Sequence, residues 1–546
     1  MKRIMLVLVF LVACAAQAQQ HPAHHKDVRT GLMPGLGDLH HPVSTNNLEA
    51  QRFFDQGLRL IYAFNHDEAE RSFRRAAQLD PQLGMAWWGI AYALGPNYNL
   101  PVDAAREKAA YDAIQKALSL SSKAPESERA YIEALAKRYS DQPNPDYRQL
   151  AVNFKDAMGQ LAKRYPDDLD AATLYAESIM NLNPWGPWKH DGTPSEGTLE
   201  IVAVLESALR RNPHHMGAVH YYIHTVEASP QPERALTGAN TLAGLAPAAG
   251  HLVHMPAHIY IRTGDYRAAT STNVKAAAAD EAYIKASGVQ GIYPLMYYSH
   301  NLHFIAAAAG MEGRFAESKT AAERLVAHVG PHVKDMPPLE AFMTVPSAVL
   351  ARFQRWDEIL KAPQPDGGMK TATAFWHYAR GMAFAATGKL TEAESERKAL
   401  VEAENSTPPD AIFAMPFNNL TRNILKIADD VLGAKIAVAD KDYMAAIPLL
   451  RDAVAIQDNL KYGEPPDWYF PVRESLGAAL LISGNAAEAE KVFREDLERN
   501  PRNGRSLFGL RESLKALGRT YDAQFVEQQF EAAWKNADTQ LKLQDL

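Results

Sequence analysis

The sequence predicts an all-α solenoid of about a dozen helical hairpins, and three observations predict it. Small residues, an aromatic residue and proline return at fixed places in a 34-residue period. No segment sustains the apolar and polar alternation that a half-buried strand needs. The composition, 47% hydrophobic and 22% charged over 546 residues, suits a chain that buries a large core. One hairpin cannot cover its own apolar face, so such units must stack on one another.

The period is clearest over 50–83, where Gly57, Ala69, Phe73, Ala76 and Pro81 occupy positions 8, 20, 24, 27 and 32. Small side chains at 8 and 20 let two antiparallel helices approach, Phe fills the gap at 24, and Pro ends the second helix. The same phase returns with Ala235, Ala239 and Pro247 in 216–249, and with Ala257, Gly264, Tyr266 and Ala269 in 250–283. It returns again with Gly381, Gly388 and Ala393 in 374–407, and with Gly477, Gly484, Ala489, Phe493 and Pro501 in 470–503. Weaker copies fit 84–120, 299–332, 340–373, 427–460 and 504–537, and between 121 and 212 the helical pattern persists in poor phase.

This pattern resembles the tetratricopeptide repeat over most of 49–537. The blocks 50–81, 254–258 and 464–481 are also similar to a narrower set of exported bacterial proteins of that kind. The resemblance implies a right-handed superhelix, in which first-helix positions 2, 5, 9, 12 and 13 face a concave groove that holds a protein or peptide partner. Inserted loops are expected near 183–198, 284–298, 405–424 and 461–471, where Pro and Trp clusters interrupt the helices. Aromatic plugs against the repeat and a lid over the groove are the two readings of these loops.

Residues 1–18 read as a secretory leader, with Lys2 and Arg3 before the apolar run 4–13. Ala16-Gln17-Ala18 suits ordinary cleavage, whereas Leu11-Val12-Ala13-Cys14 resembles a lipobox, which would end the leader at 13 and put a lipid anchor on Cys14. Either reading predicts export, to the periplasm or to a membrane surface. Cys14 is the sole cysteine, so no disulfide is expected in the mature fold. Residues 19–48 read as an irregular segment, and the solenoid as 49–546. A net charge of -7, lowered by two more when Lys2 and Arg3 leave, disfavours a nucleic-acid partner. No later segment is apolar enough for a transmembrane span.

The candidate site comes from the histidines. Positions 2, 5 and 9 of the repeats starting at 216, 250 and 299 hold Gly217, His220 and His224; His251, His254 and His258; and His300, His303 and Ala307. Nineteen histidines in 546 residues would place about 0.3 in those nine slots by composition alone. Imidazoles one turn apart, at i and i+3 or i+4, converge on one cation, and packed helices about 8–10 Å apart can share it. One four-histidine site or two adjacent sites are therefore open. Glu227, three residues beyond His224, can ligate or orient an imidazole.

Nitrogen donors without thiolate suit zinc or copper. A metal-free array that binds a partner or switches charge near pH 6.5 competes with this reading, as does a satisfied structural network. Tyr221 and Met255 stand where the glutamate base of a zincin helix belongs, which disfavours that reading. Metal-assisted hydrolysis with Glu227 as base remains a further alternative. Pro256, inside the second histidine helix, should either start that helix late or kink it at the site. His214 and His215 adjoin the ladder, while His40 and His41 read as solvent-exposed.

Overall fold

The computed structural model describes residues 31–101, 103–414, 419–468 and 470–546. The leader and Cys14 lie outside the described residues. Among the described residues there is no named strand, only the isolated bridges Asn97 to Leu100, Trp188 to Pro194 and Ile412 to Leu420. No described helix is long and apolar enough to cross a membrane. The contacts divide the chain into two compact units, 1–259 with 275–294, and 260–274 with 295–546.

The first unit is built from helical hairpins. Leu48–Tyr62 pairs with His66–Leu79, Gly84–Leu94 with Ala104–Leu120, Glu126–Ala136 with Tyr147–Arg164, Leu169–Met180 with Thr198–Arg211, and Met216–Val226 with Leu236–Leu245. Local chemistry starts several of them: Asn47, Asp103, Asp146 and Asp168 each accept backbone amides at a helix N-terminus, satisfying donors the helix itself leaves unpaired. The irregular segment before Leu48 runs back along the first helix. Gln56 takes the Met33 amide at 2.6 Å, and Arg59 donates to the Leu39 carbonyl at 2.7 Å.

The second unit repeats the scheme. Its hairpins are Ser299–Met311 with Phe315–Val329, Val345–Arg352 with Trp356–Lys361, and Lys370–Ala386 with Leu390–Ser406. Thr421–Ala439 with Tyr443–Asp458, Val472–Ile482 with Ala486–Arg499, and Gly504–Ala516 with Thr520–Ala533 follow. The insertion before Val472 acts as a plug: Trp468 is buried, its ring 6.1 Å from Phe375 and 5.6 Å from Tyr378. The stretch expected as a loop at 284–298 is partly helical, since Tyr266–Ser287 runs into it and Tyr293–Tyr298 forms a π-helical turn before Ser299.

The periodic small residues work as their spacing predicts. A methyl group on Gly57 would stand 2.6 Å from the buried Phe73 ring, and one on Gly477 would stand 2.5 Å from Phe493. Neither ring has room to withdraw. Gly57→Ala and Gly477→Ala are each expected to destabilise their own unit by about 1–3 kcal/mol through overpacking. Urea denaturation of the two variants checks this, and an unchanged midpoint would show that the rings can yield.

Candidate metal centre

Five of the seven ladder histidines and Glu227 come together inside the first unit. They sit on two helical stretches, Met216–Val226 with Glu227 as its C-terminal cap residue, and Gly250–His254 continued by Pro256–Thr263. Gly217 permits the approach that starts the site, because a methyl there would lie 2.4 Å from the Tyr62 ring. Tyr62 in turn supplies the backbone carbonyl that His220 uses.

Pro256 kinks the helix and does not delay it. Met255 keeps right-handed helical angles, φ -51° and ψ -37°, between the two segments, and its amide still bonds to the His251 carbonyl at 3.0 Å. Pro256 has no amide to give Leu252, so the regular ladder lapses for that turn. His251, His254 and His258 all remain inside the cluster.

Hydrogen bonds fix which nitrogen each ring presents. His220 Nδ1 donates to the Tyr62 carbonyl at 2.6 Å, and a carbonyl can only accept, so Nε2 carries the lone pair. His224 Nδ1 donates to Glu227 Oε1 at 2.9 Å, which likewise leaves its Nε2 as the lone pair. That Nε2 is buried and has no hydrogen-bond partner among the described residues. His251 Nε2 stands 3.1 Å from His220 Nε2, and one nitrogen from each of His220, His224 and His251 lies within 4.8 Å of the others.

The remaining pair extends the cluster. His258 Nδ1 donates to Glu227 Oε2, and His254 Nε2 stands 2.7 Å from His258 Nε2. Glu227 therefore spends one oxygen on each of two imidazoles, the arrangement by which a carboxylate orients metal-binding histidines. Glu227, His224 and His258 also offer donor atoms that all lie within 4.8 Å of one another.

Burial sets the protonation states. The His220 and His251 pKa values lie well below the ordinary imidazole value because burial disfavours the cation, and neighbouring imidazoles add to the effect. Burial also lowers His224, against the opposing pull of Glu227. For Glu227 burial alone would raise the pKa, but His258 and His224, through their proximity and their hydrogen bonds, outweigh it and hold the carboxyl below its ordinary value. Neutral His220, His224 and His251 beside an ionised Glu227 are the forms that bind a metal without first releasing a proton.

The imidazoles do not line an open surface. His220 and His254 are 0% exposed and His224 and His258 1%. Phe64 covers them, with ring centroids 4.5 Å from His220, 5.3 Å from His251 and 5.7 Å from His224. Tyr98 and Trp185 close over His224 at 5.1 and 5.6 Å. Trp185 comes from the first inserted loop and takes φ 60°, a left-handed conformation that bulky residues adopt only when the surroundings impose it. Phe64, in the turn inside the first hairpin, and Tyr98 carried no site signal in the sequence, whereas Trp185 belongs to an inserted loop expected as a plug or a lid.

His300 and His303 belong to the second unit, on Ser299–Met311. There the His300 ring packs edge-on to Phe304 at 5.0 Å and His303 to Phe342 at 5.7 Å. Burial lowers the His303 pKa to about 4.

A second cluster in the first unit was not anticipated. His41, expected at the solvent, is largely buried and donates Nδ1 to Asp170 Oδ2 at 2.8 Å. His215 Nε2 reaches Asp170 Oδ1 at 3.2 Å, and the Tyr62 hydroxyl donates to the same oxygen at 2.7 Å. His215 thus joins Asp170 and not the ladder, and its Nδ1 caps the helix by accepting the Ala218 amide at 3.1 Å. His40, His41, Asp168, Asp170 and His215 line a cavity of about 720 Å³. No spacing rule links positions 41 and 170.

No protein-family model matches this chain, and no curated protein matches it. Among solved structures it is similar to a tetratricopeptide repeat protein from Parabacteroides merdae, at 12% identity over 64% of this chain and 99% of that one, with a TM-score of 0.32. It is also similar to yeast Tom70, at 12% identity over 90% and 92% with a TM-score of 0.28, and to the P58(IPK) TPR domain, at 13% over 86% and 99% with a TM-score of 0.23. With Gly57 against Phe73 and Gly477 against Phe493 at the positions the period assigns them, the fold of this chain is an all-α array of repeated helical hairpins.

Proposed function

We propose that this protein is an exported helical-repeat scaffold whose first unit holds a transition-metal ion, zinc or copper, between His220, His224 and His251. The observation that carries the reading is the convergence of one ring nitrogen from each of these three residues within 4.8 Å, in a cluster where the His224 Nε2 is buried without a hydrogen-bond partner among the described residues. Leaving such a lone pair unused costs about 1–3 kcal/mol, and a bound cation would recover it.

Several features support the same reading. Metal-nitrogen bonds of about 2.0–2.1 Å turn the 3.1 Å separation of His220 and His251 into an angle of roughly 95–102° at a shared ion, between tetragonal and tetrahedral values. Three protein nitrogens leave room for a further ligand. The Tyr62 carbonyl and Glu227 hold two of the rings by their outer nitrogens, which is how a prepared site avoids the entropy of gathering its ligands. Burial of the whole cluster favours a held ion over turnover of a large substrate, so a hydrolase is the weaker reading. Export rests on the leader at 1–18, and a protein or peptide partner on the repeat scaffold itself.

The test is zinc binding. Purified protein, stripped with chelator and titrated with Zn2+, should take up a tightly held equivalent that His220→Ala and His224→Ala both lose while circular dichroism keeps its helical signal. Zinc at 100 times its Kd should raise the unfolding free energy of the wild-type protein by about 2.7 kcal/mol. A wild-type protein that takes up no Zn2+, or variants that bind as it does, would leave the histidines as a structural network.

A further inference from the structure

Resting on that reading, we propose that the first unit holds a second transition-metal ion between His254 and His258, so that Glu227 ties together a two-ion centre. The pair repeats the logic of the first site. His258 Nδ1–H donates to the Glu227 carboxylate, so the neutral ring presents its Nε2 lone pair, and His254 brings Nε2 to within 2.7 Å of it. Both rings are buried, and the kink at Met255–Pro256 keeps His254 beside His258. With bonds of about 2.0–2.1 Å, a 2.7 Å separation subtends roughly 80–85° at an ion, near the right angle of a tetragonal Cu2+ or Ni2+ site.

The two sites share one anion. Glu227 Oε1 orients a ligand of the first site, His224, and Oε2 orients a ligand of the second, His258, with those ring centroids 5.5 Å apart. Two dications this close repel each other, and a single buried carboxylate offsets only part of the repulsion. The second ion therefore binds in a separate, weaker step.

Titration of the chelator-stripped full chain with Cu2+ tests this, followed by copper analysis and by electron paramagnetic resonance. The expected result is two copper ions per chain taken up in two steps, the second bringing the half-field signal of coupled spins. His254→Ala should bind one copper ion with an uncoupled signal, and His258→Gln, which keeps a polar side chain against Glu227, should do the same. A wild-type protein that stops at one copper ion overturns the second site and leaves the first standing. Two ions retained in both variants overturn it as well, since the second ion would then lie elsewhere. No copper bound by the wild type removes both sites.

Discussion

Glu227→Gln is expected to weaken zinc binding by about 10–100-fold, the usual cost of losing a group that orients a metal ligand. Glu227 is 1% exposed and accepts from His224 on one oxygen and His258 on the other. Glutamine keeps one acceptor oxygen and turns the other into a donor, so one of the two imidazoles loses its hold. The ring released can rotate or change tautomer, and its lone pair no longer faces the ion. A chromophoric chelator competing for Zn2+ reads the affinity, while the unfolding midpoint of the metal-free variant reports structure separately. Wild-type affinity in a folded variant would deny Glu227 its positioning role; lost affinity with an unchanged metal-free midpoint would support it.

Glu474→Ala is expected to destabilise the second unit by about 3–5 kcal/mol, the range for removing one partner of a buried ion pair. Arg352 reaches the Glu474 carboxylate at 3.0 and 3.1 Å, Arg505 at 2.7 Å and Asn503 at 2.9 Å, and both arginines are buried. Alanine would leave two guanidinium groups in the interior without their shared counter-charge. Burial would raise the Glu474 pKa, but Arg352 and Arg505 outweigh it and hold it below the ordinary value. The folded state then binds fewer protons at this group than the unfolded chain does, so its contribution is present above the unfolded carboxylate pKa, about 4.3. It is lost as pH falls through the lower folded value. Urea denaturation at pH 7 and at steps of falling pH below the unfolded value checks both statements: the deficit of the variant should shrink as pH falls, and a constant deficit would assign the effect to packing.

Much of this architecture is legible in the chain. Gly57 with Phe73, and Gly477 with Phe493, announce close helix pairs by their spacing, and histidines recurring on the same beat announce a shared face. The phase set at 299 also holds, with a helix at Ser299–Met311 and its partner at Phe315–Val329. A helical repeat places side chains by counting, so a period in residues becomes a period in space.

Most of the aromatic cover was not legible, nor was the His41 to Asp170 pair, because Phe64 and Tyr98 lie far from the histidines in sequence; only Trp185 sits in a loop that the sequence marks as a plug or lid. Whether the imidazoles face solvent or are sealed depends largely on Phe64 and Tyr98, more than a hundred residues from His220 and His224, which no local pattern encodes. Only folding could decide that His220 meets the Tyr62 carbonyl, that His224 and His258 divide Glu227 between them, and that the ladder's last two histidines fall in the other unit. The sequence by itself determined the hairpins and the face each histidine occupies, since both follow from 3.6 residues per turn. Tertiary packing alone decided burial, tautomer and grouping, since each of these depends on what a distant segment brings against the ring.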